Sequence, residues 1–245
     1  MATAELALPV PPLSAVVPRR SMIVIDERTS FSVPESAFSL EGFREWATGD
    51  EFPERGRICF LECELQIDMS AELYDTHNQV KGEISSALWT INRREKLGRV
   101  FYDRMLLTNK SAGISTEPDA MFASRATMQS GKLRQVPRGD LPQGCKEMEG
   151  TPDWVLEVVS PSSIRKDKKQ LREKYWLAGI GEYWLVDALG EHLEFNILVR
   201  GDAGYVESPV LDGWQQSLIF SRSFKLDRER DDLGDWVYTL SVKDL

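Results

Sequence analysis

Cysteine and histidine are scarce in this 245-residue sequence, which contains three cysteines and two histidines. The cysteines, Cys59, Cys63 and Cys145, are odd in number and scattered, and no second pair of cysteines or histidines completes a zinc site. The pattern therefore gives no support for a protein built around zinc. We interpret the three cysteines as small packing residues.

Long apolar runs are also missing. No eighteen consecutive residues are apolar, and the N-terminus lacks the basic start and long apolar centre of a signal peptide. We therefore expect a cytoplasmic protein without a membrane-spanning helix. A hydrophobic content of 42% over 245 residues is enough for a sizeable core. We predict a loose N-terminal arm, residues 1–38, followed by one domain, residues 39–245.

A surplus of positive charge is the third missing feature, since 30 Lys and Arg residues face 39 Asp and Glu residues and the net charge is -9. Such a chain has no general basic footprint for nucleic acid, so contact with DNA would depend on local basic clusters and on metal ions. Each cluster is interpreted either as a solvated surface or as a track for phosphates. The clusters are Arg93, Arg94, Lys96 and Arg99; Lys132, Arg134 and Arg138; and Arg165, Lys166, Lys168 and Lys169.

One carboxylate is present inside an otherwise apolar strand. Residues 152–163 have a centre rich in β-branched and aromatic residues and end in Ser-Pro-Ser-Ser, so they predict a short strand buried on both faces. Side chains alternate along a strand, which places Val155, Glu157 and Val159 on one face. A buried carboxylate is costly unless it is paired, hydrogen-bonded, protonated or bound to a metal. Glu157 is therefore either the partner of a basic residue at the open end of the strand or a metal ligand.

The residues after this strand predict a strand-helix-strand unit. A helix is expected over residues 166–178, with Gly179 at its end, and residues 182–187 are a clear strand. Short connections imply that the two strands are parallel. A second long helix is predicted over residues 72–96. Residues 125–150 mix Ser, Lys, Arg, Pro and Gly without a sustained period and predict an exposed loop or lid.

A second carboxylate, Asp119, begins another predicted strand. Pro118 fixes its own φ, so Asp119 enters that strand in a defined direction. Taken alone, Asp119 is also explained as a turn residue beside a proline. Together with Glu157 it would hold a divalent ion, Mg²⁺ or Mn²⁺, which activates water and neutralises charge on a phosphate. The pair therefore favours metal-assisted hydrolysis of a phosphodiester.

A cation for this chemistry is missing from the strand and would have to come from the following helix. At about 100° per residue, a residue seven positions after Asp167 returns to within about 20° of its direction. That residue is Lys174, which we predict as the catalytic cation, with Gln170 and Lys168 as weaker candidates. A solvated helix lysine is the alternative interpretation of Lys174.

Several groups of residues together resemble a known family. They are residues 153–163, Asp167, Tyr175, residues 178–180 and residues 182–187, with Glu64, Met69-Ser70, His77 and Pro118-Asp119 upstream. These residues resemble the Uma-two family, which is described as a family of restriction endonucleases and is assigned to the PD-(D/E)XK nuclease superfamily. The resemblance covers roughly residues 40–199.

The resemblance implies an α/β fold of the restriction-endonuclease-like kind, with a mixed central sheet flanked by helices. It also implies that Asp119 and Glu157 are metal ligands, whereas Glu64 either assists them or is a surface residue at a strand edge. Two positions depart from the pattern. Much of the superfamily has a lysine two residues after the glutamate, where this chain has Val159, and the family often has one at the position of Leu171.

These observations leave three hypotheses about function. The first is a Mg²⁺-dependent DNA endonuclease, for which cutting both strands of a duplex would favour a homodimer with two-fold symmetry. The second is a binding or scaffold protein that keeps the nuclease fold without the lysine, which Val159, Leu171 and the acidic net charge support. The third is a metal-dependent hydrolase of another phosphoester. Metal affinity separates the first two, and salt-sensitive DNA binding separates the first from the third.

Overall fold

The structure is a computed structural model and describes residues 21–26, 29–138 and 141–245. Within the predicted arm, β1 (Ser21–Asp26) and β2 (Thr29–Pro34) form an antiparallel pair. Val33 and Ala37 are buried in an apolar cluster with the first helix, so the described end of this segment packs against the body. The division into an arm and a domain stays a prediction, because residues 1–20 lie outside the described residues.

Four α-helices and sixteen further strands make up the rest of the described chain. The helices are α1 (Leu40–Thr48), α2 (Gln79–Glu95), α3 (Arg125–Gln129) and α4 (Arg172–Leu177). The strands up to the centre of the chain are β3 (Arg57–Leu61), β4 (Glu64–Asp68), β5 (Gly98–Tyr102), β6 (Leu106–Asn109), β7 (Ile114–Thr116), β8 (Ala120–Ser124), β9 (Leu133–Arg138), β10 (Leu141–Gly150) and β11 (Trp154–Val158). The remaining strands are β12 (Glu182–Asp187), β13 (Glu194–Gly201), β14 (Gly204–Glu207), β15 (Val210–Leu211), β16 (Trp214–Ser217), β17 (Arg222–Arg230) and β18 (Trp236–Asp244).

The central sheet has six strands in the order β14-β13-β12-β11-β8-β5. Strands β11 and β12 are parallel, and every other neighbouring pair in this sheet is antiparallel. The sheet is therefore mixed, and the predicted strand-helix-strand unit is confirmed. Residues 166–178, which join β11 to β12, are helical from Lys166 to Leu177.

Helices cover both faces of the central sheet, because β11 presents apolar side chains on each face. Val155 and Val159 belong to the cluster that contains Leu171 and Tyr175, which lie in the connection before β12. Trp154, Leu156 and Val158 point the other way and pack in the cluster that contains Val80, Ile84 and Leu88 of α2. This alternation confirms the prediction of a strand buried on both faces.

A second mixed sheet adjoins the first, in the order β4-β3-β7-β6-β10-β9, and it corrects one prediction. The described residues of the segment 125–150 are not a loop or lid but form α3, β9 and β10. These strands show no clear apolar alternation in the sequence, because a charged residue occupies a buried position on β10. Glu147 is buried on β10 and accepts a hydrogen bond of 2.6 Å from Nε of buried Arg44 on α1. At this buried position a charged pair stands where an apolar residue would have identified the strand from the sequence.

The C-terminal residues form a four-stranded antiparallel sheet, β15-β16-β17-β18, which packs on the body. Phe220, Phe224 and Leu240 are buried in the cluster that α2 and the central sheet share. Buried Glu182 of β12 also joins the two sheets, because its carboxylate accepts hydrogen bonds from the Ser217 hydroxyl and the Ile219 backbone N–H. In the described residues, no helix is long and apolar enough to cross a membrane.

Candidate active site

A cavity of about 350 Å³ opens at the carboxyl end of β11. Since β8 runs antiparallel to β11, the residues that precede β8 reach the same edge of the sheet. The walls come from the β3–β4 hairpin, the start of the first long helix and the residues after β11. Charged side chains in the lining include Arg57, Asp68, His77, Asp119, Glu157 and Asp167.

Asp119 and Glu157 lie side by side in this cavity. Ala120 is paired with Leu156 in the sheet, and the Asp119 backbone N–H donates a hydrogen bond of 3.1 Å to the Leu156 carbonyl oxygen. Asp119 therefore lies beside the end of β11 that carries Glu157, and both carboxylates line the same cavity. The Val158 backbone N–H donates a hydrogen bond of 2.8 Å to Oδ2 of Asp119, which fixes the aspartate beside β11. The structure therefore brings together the two residues predicted as metal ligands.

Asp119 is held as a carboxylate by neighbouring cations. Nη1 of Arg57 donates a hydrogen bond of 2.9 Å to its Oδ1, and Nε2 of His77 lies 3.4 Å from its Oδ2. Burial alone would raise the pKa of Asp119. The hydrogen bond with His77 and the charges of His77 and Arg57 outweigh burial and hold that pKa below its ordinary value.

His77, one of the residues that carry the family resemblance, lies inside the site. It is 4% exposed, and its Nδ1 lies 2.5 Å from Oε1 of Glu72. Lys81 donates to the same oxygen over 2.6 Å. Burial would lower the pKa of His77, but the hydrogen bond and charge of Asp119 raise it. Glu72, His77 and Asp119 thus form a continuous chain of polar contacts along the wall of the cavity.

Glu157 has the opposite electrostatic environment to Asp119. It is 2% exposed, and its Oε1 accepts a hydrogen bond of 2.6 Å from the Tyr175 hydroxyl. Burial and the negative charge of Asp167 raise its pKa well above the ordinary value, the charge of Lys166 opposes them, and Asp119 adds to the rise. An ionised Glu157 is therefore costly in this cavity unless a further positive charge accompanies it.

Asp167 is a third buried carboxylate in the cavity. Its Oδ2 accepts a hydrogen bond from the Ser163 hydroxyl, while its Oδ1 finds no hydrogen-bond donor among the described residues and lies 3.4 Å from Nζ of Lys166. Burial raises the pKa of Asp167 against the opposing charge of Lys166. Burial would lower the pKa of Lys166, but Asp167 and Glu157 outweigh it and keep the amine protonated.

Lys174 does not line the cavity, and helix geometry explains why. Residues Lys166–Leu171 form a π-helical turn, which contains one residue more than the α-helical turn assumed in the projection. The direction predicted for Lys174 therefore belongs to the next residue, Tyr175, whose hydroxyl reaches Glu157. Lys168 also points elsewhere, since its Nζ lies 2.6 Å from Oδ2 of Asp187.

A second π-helical turn, Tyr74–Asn78, precedes α2 and contains His77. The two π-helical turns of the described chain thus supply His77 from one side of the cavity and Lys166 with Asp167 from the other. Such turns recur at functional sites because the extra residue redirects side chains. Neither turn is visible in a 3.6-residue periodicity.

Asp68, rather than Glu64, is the acidic residue that β4 brings to the cavity. Glu64 is exposed and does not line it, whereas Asp68 at the other end of the strand does. Asp68 accepts hydrogen bonds of 2.6 Å from the hydroxyls of Ser70 and Ser162. These contacts tie the β3–β4 hairpin to the Ser-Pro-Ser-Ser turn after β11, a role for the serines that only the tertiary structure shows.

The fold and the site together define a class of protein: an α/β protein of the restriction-endonuclease-like fold, with acidic residues at one edge of a mixed sheet. The family follows from sequence comparison. The profile of the Uma2 family, described as "Putative restriction endonuclease", matches residues 40–229, and the chain belongs to this family. The resemblance found in the sequence is thereby confirmed.

A solved structure supports the same fold. It is the crystal structure of a "putative nuclease belonging to DUF820" from Anabaena variabilis ATCC 29413, and it is 17% identical to this chain. The TM-score is 0.54, and the match covers 74% of this chain and 90% of that one. At this identity the likeness shows the fold alone. Among curated proteins, none matches this sequence.

Proposed function

We propose that this protein is a divalent-metal-dependent DNA endonuclease. The observation that carries the proposal is the placement of Asp119 and Glu157 where β8 begins and β11 ends, both buried and both lining one cavity. Membership of a family described as restriction endonucleases supports a nucleic-acid substrate. The exposed side chains of Arg55 and Arg104, which also line the cavity, offer positive charge to a DNA backbone.

The residues of the cavity fit a divalent cation. Asp119, Glu157 and Asp167 offer oxygen donors only, the ligand type that Mg²⁺ and Mn²⁺ prefer. A dication would also offset the repulsion that raises the pKa of Glu157. In the described residues, no three acidic, histidine or cysteine side chains already surround one point as a ligand set. Mg²⁺ commonly uses one or two carboxylates and keeps several waters, so two protein ligands suffice.

The protein's own groups would position the reactants for hydrolysis. When bound, the metal supplies a lowered pKa for water and neutralises charge on the phosphate. The Tyr175 hydroxyl fixes the orientation of Glu157, and the Val158 N–H and Arg57 fix Asp119. The water oxygen forms a bond to phosphorus, the bond from phosphorus to the leaving sugar oxygen breaks, and a proton from water is finally carried by that oxygen.

The test is cleavage of supercoiled plasmid with Mg²⁺ or Mn²⁺, with EDTA as the metal-free arm. Wild type should cut, and Glu157→Gln should lose about 100-fold or more of the rate because a neutral amide is a poor metal ligand. Exposed Glu173 on α4 gives the matched control, and Glu173→Gln should cut like wild type.

Further substrates separate the proposed function from its alternatives. Single-stranded DNA, RNA and bis(p-nitrophenyl) phosphate are tested beside the plasmid. Cleavage of the small diester without cleavage of DNA would favour a hydrolase of another phosphoester. Cutting that persists in EDTA or in Glu157→Gln would refute the proposed site. The absence of both cutting and stabilisation by Mn²⁺ would favour a scaffold.

A further inference from the structure

Two positions at which a catalytic lysine was expected are occupied by buried aliphatic side chains. Val159 and Leu171 are each 0% exposed, and both belong to the apolar cluster that contains Tyr175 and Tyr183. Neither position can present a charge to the cavity. Attack on a phosphodiester concentrates negative charge on the phosphate oxygens, and a fixed cation stabilises that charge. The cation must therefore come from another residue.

The described lining of the cavity narrows the choice of cation. Its lysine and arginine residues are Arg55, Arg57, Arg104 and Lys166. Arg57 is bound to Oδ1 of Asp119, while Arg55 and Arg104 are exposed. The side chain of Lys166 is 20% exposed, so it is mostly buried but stays in contact with solvent, and its Nζ lies 3.4 Å from Oδ1 of Asp167.

Lys166 also lies where two cavities meet. A second cavity of about 230 Å³ lies beside the first, lined in part by Cys59, Gln66 and Thr116. Lys166 lines both cavities, and so do Arg57, Asp68, Met69, Glu117 and Ser163. Of the two shared cations, Arg57 is already bound to Asp119. A backbone that crosses from one cavity to the other would therefore pass the amine of Lys166.

We propose that Lys166 is the catalytic cation of this protein and replaces the lysine that is missing at positions 159 and 171. The inference rests on the proposed function. The Lys166 ammonium would donate a hydrogen bond to a non-bridging oxygen of the phosphate under attack. It keeps its proton throughout, so no covalent change occurs at the lysine. Its neighbours Asp167 and Glu157 hold it toward the cavity by charge.

The test compares Lys166→Met with Lys174→Met, because Lys174 lies in the same helical segment but does not line the cavity. Plasmid cleavage by Lys166→Met should fall about 100-fold or more, whereas Lys174→Met should cut like wild type. Lys166→Arg keeps the charge and should retain more activity than Lys166→Met. Calorimetry with Mn²⁺ supplies a readout other than activity. Lys166→Met should bind Mn²⁺ at least as tightly as wild type, because a positive charge beside the carboxylates is removed.

A measurement on wild type covers the case in which Lys166→Met fails to fold. Reductive methylation followed by mass spectrometry should show that a phosphorothioate oligonucleotide with Ca²⁺ protects Lys166 but not Lys174. Equal labelling of Lys166 with and without the oligonucleotide would overturn the inference.

The activity data distinguish this inference from the proposed function. If wild type cuts and Lys166→Met cuts equally fast, Lys166 is not the cation and the proposed function stands. If wild type does not cut, the proposed function itself has failed. Loss of Mn²⁺ binding in Lys166→Met would assign Lys166 a structural role and contradict the catalytic one.

Discussion

Replacement of Glu157 with glutamine should stabilise the metal-free protein although it abolishes activity. The wild-type carboxylate is 2% exposed and lies near the charges of Asp167 and Asp119, with Lys166 as the opposing cation. Glutamine has the same shape and keeps an oxygen for the Tyr175 hydroxyl. It removes the cost of burying an ionised group, so we expect a gain of about 1 to 3 kcal/mol in the free energy of unfolding at pH 8.

The pH dependence of this gain follows from the direction of the Glu157 pKa shift. Its pKa in the folded protein is raised above the ordinary value of 4.5. Stability is therefore fully present below the unfolded pKa and is lost as the pH rises through the folded pKa. Glutamine does not titrate, so the advantage of Glu157→Gln should be small near pH 4.5 and grow toward pH 8.

Thermal unfolding in EDTA measures the effect. For a chain of this length, about 1 to 3 kcal/mol corresponds to a rise of about 2 to 12 °C in Tm. The exposed control Glu173→Gln should change the free energy of unfolding by less than about 0.5 kcal/mol. A Glu157→Gln protein that is less stable than wild type at pH 8, or equally shifted at both pH values, would refute the reasoning.

Two further replacements should lower the free energy of unfolding, whereas Glu157→Gln should raise it. Asp119→Asn should lower the free energy of unfolding by about 2 to 4 kcal/mol in urea titrations at pH 7, because Arg57 would lose the nearest and most buried of its charged partners. Since the pKa of Asp119 is lowered in the folded protein, this difference should shrink as the pH falls below the ordinary value of 3.8. Tyr175→Phe should cost about 1 to 3 kcal/mol, because Glu157 loses a buried donor, and an unchanged urea midpoint would contradict that contact.

The central strand β11 could be predicted from sequence because apolar side chains occupy both of its faces. Trp154, Leu156 and Val158 meet α2, and Val155 and Val159 meet the helical connection before β12. The parallel pairing of β11 and β12 followed from the strand-helix-strand pattern with its short connections. The strands within residues 125–150 were missed, because Glu147 is buried only through its bond to Arg44, 103 positions earlier.

Two of the residues predicted for the site could be placed from the strand patterns in the sequence. Asp119 directly precedes β8 and Glu157 lies near the end of β11, and the pairing of these two strands brings them together. The predicted direction of Lys174 was wrong because the projection assumed an α-helix, whereas residues Lys166–Leu171 form a π-helical turn. The burial of His77 could not be predicted from the sequence for a different reason. Its burial depends on Glu72 and Asp119, and the contact with Asp119 spans 42 positions of the chain.

Calorimetric titration of Mn²⁺ into wild type, Glu157→Gln and Glu173→Gln tests the central claim most directly, because the nuclease function and the role of Lys166 both require a metal site at Asp119 and Glu157. We predict saturable binding to wild type and to Glu173→Gln, with binding to Glu157→Gln reduced beyond detection. Equal Mn²⁺ binding by wild type and Glu157→Gln, or no binding by wild type, would contradict the account.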